Sequence, residues 1–108
     1  SLFNSALIVS FLTAITEETA FRGYIFNRLW QVFDNEEWAN LISSLGWTLI
    51  HVPIAIFIFH YSLVPMVVFL GLTFIFGLGS AFVFARTKTI TASVLLHVFW
   101  SWPIILFR

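Results

Sequence analysis

Glu17, Glu18 and Arg22 fall within six residues of one another, inside a stretch that otherwise reads as an apolar helix. A carboxylate or guanidinium at the centre of a bilayer costs about 2.5–3.5 kcal/mol on insertion scales, so a cluster of them needs a reason. His51 and His97 lie in two further apolar segments. A carboxylate and two imidazoles brought together can take a proton from water and steady a tetrahedral oxyanion. Glu17, His51 and His97 could instead hold a divalent metal such as zinc in a three-ligand open site, which makes bound water more acidic. The His-Glu-x-x-His pattern of one zinc protease class is absent, and the balance leans toward glutamate-dependent water activation.

The roles divide by helical position. Residues four apart stack on an α-helix, so Glu18 lies beneath Arg22, with the acid N-terminal to the cation as such pairs prefer. The two can neutralise each other. Glu17 is turned about 100° away around the same helix and is left over as the candidate base. Trp47 stacks one turn before His51, and Ser101 one turn after His97. His60, beside Tyr61 at an expected membrane boundary, is assigned no role.

Four apolar segments must position these groups. The first covers residues 2–33 and carries Glu17, Glu18 and Arg22; the polar run Asp34-Asn35-Glu36-Glu37 follows it. The second covers 37–61, and Pro53, two residues past His51, is expected to bend or restart its helix. The third, 63–85, is the cleanest spanning candidate, with Pro65 in its first turn and Gly77 and Ala81 one turn apart as a helix-contact pair. After Arg86-Thr87-Lys88-Thr89, the fourth covers 90–107 and carries His97, with Pro103 bending its end. The expected architecture is all-α: a polytopic transmembrane helical bundle forming a single domain over 1–108.

Composition fits lipid as the solvent. The chain is 60% hydrophobic and 9% charged, with 14 Phe and 5 Trp, against about 25% charged residues in soluble domains. A soluble domain of this size would leave much of that apolar surface in water. Net charge is zero, which excludes a basic surface for nucleic acid. The absence of cysteine excludes thiol catalysis, disulfides and Cys-ligated zinc. Trp38, Trp100 and Trp102 suit interface belts, and Phe74, Phe76, Phe82 and Phe84 suit lipid contact or packing. If every segment spans, Arg28, Arg86 and Lys88 share one side and Arg108 marks the other. The first side, and with it the site, is expected toward the cytoplasm. Residues 2–16 lack a basic n-region, so a cleaved signal peptide is not expected. The chain opens on Ser1 and is expected to be a piece of a larger membrane protein.

Glu17-Glu18-Thr19-Ala20-Phe21-Arg22-Gly23 resembles the Glu-Glu-x-x-Phe-Arg-Gly motif of the CPBP intramembrane proteases, the Abi or type II CAAX prenyl endopeptidase family. Trp47 to His51 is similar to the family's Phe-x-x-x-His motif, and His97 to Ser101 to its His-x-x-x-Asn motif. Thr91-Ala92-Ser93-Val94 resembles its Thr-Gly-Ser-Leu segment. The resemblance implies an all-helical membrane endopeptidase core with further helices outside this chain. It implies Glu17 as the base that activates water with help from His51, Glu18 and Arg22 as a supporting ion pair, and His97 and Ser101 as the oxyanion's partners. The implied substrates are proteins or peptides at the bilayer: a prenylated CAAX protein, a leader peptide or a membrane-anchor peptide. Trp47 stands where the family has Phe, and Ser101 where it has Asn. Serine's shorter hydroxyl favours, as an alternative, a non-catalytic membrane scaffold or immunity factor. A proton-coupled transporter is the other alternative, because intramembrane Glu and His also mark proton relays.

Overall fold

The computed structural model describes residues 1–107, and the side chains of residues 1–102. Arg108, expected to mark one membrane side, lies outside the described residues. The elements are α1 (Leu2–Glu18), a π-helical segment (Thr19–Phe26), α2 (Asn27–Phe33), α3 (Glu36–Leu49), α4 (Val52–Phe57), α5 (Leu63–Thr87) and α6 (Thr91–Phe107). No strand occurs among the described residues.

The Ser1 hydroxyl accepts the Asn4 N–H at 3.2 Å and starts α1. The stretch to Phe33 runs without a break, but not as one α-helix. At Thr19 the backbone widens into π geometry, which lasts for eight residues. Such i→i+5 segments concentrate at functional sites. Asp34, in the left-handed region at φ 51°, ends α2. The Asn35 side chain then accepts the Trp38 N–H at 2.9 Å and caps α3. Glu36 and Glu37 therefore belong to the first turn of α3, where negative charge is favoured. α3 stops at Leu49 and α4 restarts at Val52 with Pro53 in its first turn. That is the break expected of a proline two residues past His51. α5 reaches Thr87, two residues beyond the expected end, and Lys88 closes it at φ 60°.

α1 packs mainly against α6, and α3 against α5. Phe26, Ala39, Ala81, Phe84 and Ala85 form one buried cluster, and Ala14, Val94 and Val98 another. Small residues let the backbones approach, as in membrane helix contacts. Gly77 marks the tightest approach: a Cβ there would lie 2.9 Å from Trp47 Cδ1, 3.2 Å from Arg22 Nη2 and 3.3 Å from Ser44 Oγ. Gly77→Ala should therefore destabilise the fold by about 1–3 kcal/mol, read as a lower melting temperature in detergent. An unchanged melting temperature would mean that α3 and α5 separate at no cost.

At one end of the molecule Arg86 Nη1 meets Glu36 Oε1 at 2.8 Å and Oε2 at 3.0 Å, so the connections after α2 and after α5 share that end. Two helical stretches, Glu36–Phe57 and Leu63–Thr87, are long and apolar enough to cross a membrane, and less than half of either is buried. Leu63, Val64, Val67, Val68 and Ile75 on α5 are exposed, as are Leu2, Ile8 and Leu12 on α1. Apolar faces of this extent suit lipid rather than water. Phe76 and Phe84 are buried and serve packing, whereas Phe82 is exposed.

Candidate active site

The sequence scattered its polar groups over three apolar segments, and the fold gathers them. Glu17 is delivered by the last turn of α1, His51 by the break between α3 and α4, and His97 and Ser101 by α6. All four line one cavity of about 140 Å³, together with Trp47 and Trp100. This exceeds the roughly 10–15 Å³ a single water requires.

Glu18 is not among the residues that line that cavity and is completely buried. Its carboxylate meets the Arg22 Nε at 3.4 Å and Nη1 at 3.5 Å, so the expected ion pair forms. The π segment begins between the two partners. Arg22 Nη2 instead donates to the Gly77 carbonyl on α5 at 3.0 Å. The guanidinium also lies 4.5 Å from the Trp47 ring centroid, a favourable cation–π distance. Glu18 has two closer partners that the sequence did not disclose. Ser80 Oγ donates to Oε1 at 2.5 Å, and His97 Nδ1 lies 2.7 Å from Oε2.

These contacts orient both imidazoles. His51 Nδ1 lies 2.6 Å from the Trp47 carbonyl, which can only accept, so Nδ1 carries a proton. His97 Nδ1 likewise donates to the Glu18 carboxylate. Its Nε2 lies 4.0 Å from Glu17 Oε2. Trp47 is the packing hub between them, with ring centroids 4.7 Å from His51 and 5.4 Å from His97.

Buried polar atoms are nearly always hydrogen-bonded, and those left over call for an explanation. Glu17 Oε2 and Ser101 Oγ are both buried without a partner. Glu17 and Ser101 line the same cavity.

The three-ligand zinc alternative does not fit. Among the described residues no group of three His, Cys, Asp or Glu side chains is arranged to hold a metal ion. Glu17, His51 and His97 line the same cavity, while one nitrogen of each ring is already taken up, by the Trp47 carbonyl and by Glu18.

A model of the family described as type II CAAX prenyl endopeptidase Rce1-like matches residues 1–103. The chain belongs to that family. No curated protein and no solved structure matches it. Membership points to a protease of the CAAX type, an integral membrane setting, and a peptide or prenylated substrate.

Ser80, Ser93 and Trp100 escaped the sequence reading as site residues. Ser80 sits in Gly77-Leu78-Gly79-Ser80-Ala81, where a small residue reads only as a helix contact. Ser93 Oγ donates to the Ser80 carbonyl at 3.0 Å, giving the Thr91-Ala92-Ser93-Val94 segment a structural purpose. Trp100, expected at an interface belt, stacks on Phe76 at 5.2 Å and borders the cavity.

Proposed function

We propose that residues 1–108 form a single-domain core of a multi-pass membrane endopeptidase that hydrolyses a peptide bond with water activated by Glu17. One observation carries the reading: Glu17 Oε2 and Ser101 Oγ, buried and unpartnered, border the cavity that also holds His51 and His97. Glu17 takes a proton from water as the water oxygen bonds to the scissile carbonyl carbon. His51 Nε2, its lone pair left open by the Trp47 carbonyl, accepts the water's other hydrogen and orients it. The carbonyl oxygen becomes an oxyanion, for which Ser101 Oγ is a donor. The C–N bond then breaks to give a carboxylic acid and an amine. The end of the molecule bearing Arg28, Arg86 and Lys88 faces the cytoplasm, because basic residues in short connections are retained there.

The test is cleavage of a fluorogenic prenylated CAAX peptide by the full-length protein in lipid vesicles, compared with Glu17→Gln. Ser101→Ala should lower kcat by up to about 10²-fold with little change in KM, as loss of a single oxyanion donor does. Equal kcat for the two proteins would remove Ser101 from the chemistry. A second reading, a membrane scaffold that retains the site without turnover, is favoured by Ser101 standing where the family motif has Asn. It expects Glu17→Gln to preserve biological function.

A further inference from the structure

The end of the molecule where Arg86 meets Glu36 holds a second cavity, of about 260 Å³, that shares no lining residue with the catalytic one. Asn27, Trp30 and Gln31 on α2 and its cap Asp34 form one side, and Lys88, the cap of α5, the other. α5 has 25 residues, which at about 1.5 Å each span about 37 Å. The hydrocarbon core of a bilayer is about 30 Å thick, so a helix of that length carries its cap out among the headgroups.

The cavity presents both signs of charge, and the protein neutralises neither. Among the described residues, no hydrogen bond or ion pair engages the side chains of Asn27, Gln31, Asp34 or Lys88. Asp34 and Lys88 border one cavity without pairing with each other. Lys88 Nζ lies instead 4.1 Å from the Trp30 ring centroid, a cation–π contact that holds the ammonium in place. Trp30 is itself held, packed on Phe26 at 5.6 Å and against the buried cluster that contains Phe26 and Phe84. A simple anion entering the cavity would meet Asp34, and a simple cation would meet Lys88. A ligand that carries both charges satisfies both residues.

We infer that this cavity binds the headgroup of a zwitterionic phospholipid that ends in a primary ammonium, of the phosphoethanolamine type. Lys88 takes the phosphate as a point charge. The ammonium brings three N–H donors, and the Asp34 carboxylate with the amide oxygens of Asn27 and Gln31 offers the acceptors. A trimethylammonium headgroup has the same charge but no N–H, and the Trp30 face that could hold it is taken by Lys88. Asp34 and Lys88 close α2 and α5, so two helix C-termini, which favour a cation, border the cavity. A bound headgroup ties α2 to the end of α5 and anchors this end in its leaflet. The inference concerns where a lipid sits and is independent of the hydrolytic reading.

Native mass spectrometry of the full-length protein reads this directly. The protein in detergent would be offered phosphatidylethanolamine, phosphatidylcholine and phosphatidylglycerol with the same acyl chains. Retention of phosphatidylethanolamine should exceed that of phosphatidylcholine by about tenfold, the contribution of one charge-assisted hydrogen bond. Asp34→Asn, which suits the left-handed backbone at φ 51° as aspartate does, should remove most of that preference. Lys88→Gln should lower retention of both lipids by about tenfold. Arg28→Gln, a change outside the cavity, should alter neither. Equal retention of the two lipids would overturn the inference, as would a preference that survives Asp34→Asn or falls equally in Arg28→Gln. Stronger retention of phosphatidylglycerol would overturn it too, because an anionic lipid needs only a positive surface. Glycerophosphoethanolamine, the headgroup without its chains, separates a lipid from a free phosphate compound. It should leave the melting temperature unchanged at a concentration where the lipid raises it, and an equal rise would overturn the lipid assignment. If a variant does not accumulate, the three lipids on the unmodified protein decide the question alone. No arm depends on cleavage, so failure of the hydrolytic reading would be a separate result.

Discussion

Glu17→Gln should reduce peptide cleavage by about 10²–10⁴-fold, the range that a positioned general base contributes. Its melting temperature should stay within experimental error of the unmodified protein. Both halves follow from where the side chain stands. Glu17 Oε2 makes no hydrogen bond, and its distance to His97 Nε2 is 4.0 Å, beyond hydrogen-bond reach. Glutamine has the same shape, so the fold loses no hydrogen bond that Oε2 was making. The amide nitrogen, however, cannot take a proton from water. Glu18→Gln one residue away should behave differently. There the carboxylate is completely buried and accepts from Ser80, His97 and Arg22, so the amide would place a donor among donors and stability would fall along with activity. Activity assays and thermal denaturation on the two variants separate a chemical carboxylate from a structural one. Undiminished turnover in Glu17→Gln would end the assignment of Glu17 as the base.

The pairing of Glu18 with Arg22 was legible in the sequence because ionisable residues are scarce in it. With 9% charged residues, each buried charge stands out against the apolar background. The break near His51 was equally legible, since a proline in a helix has a local steric consequence that no tertiary contact can remove. The partners of Glu18 were not. His97 is 79 positions away and Ser80 62 positions away, and helical periodicity contains nothing about which faces meet across the bundle. The π segment left no sign either: Thr19–Phe26 has no proline and only one glycine. Whether three donors share one focus was likewise not legible, because it depends on how the side chains meet across the bundle, and among the described residues no group of three is arranged to hold a metal ion.

Arg22→Ala carries the largest expected cost to folding. The guanidinium is 2% exposed and makes three kinds of contact at once: to Glu18, to the Gly77 carbonyl, and over the Trp47 ring. Removing one partner of a buried ion pair costs about 3–5 kcal/mol, because the remaining charge keeps its desolvation penalty without its compensation. Ser80 and His97 still donate to Glu18, which offsets part of that loss. The contacts to the Gly77 carbonyl and over the face of Trp47 are lost outright, and a void would open where α3, α5 and the π segment meet. The expected result is low membrane yield and a depressed melting temperature, with activity falling in proportion to folded protein. Arg22→Lys separates charge from shape. It restores a cation beside Glu18 but not the planar fork that reaches Glu18 and Gly77 together, so its stability should lie between the two. Normal yield and melting temperature in Arg22→Ala, with activity lost, would reverse the argument. The arginine would then serve the substrate rather than the fold, and Glu18 would have to be held by Ser80 and His97 alone.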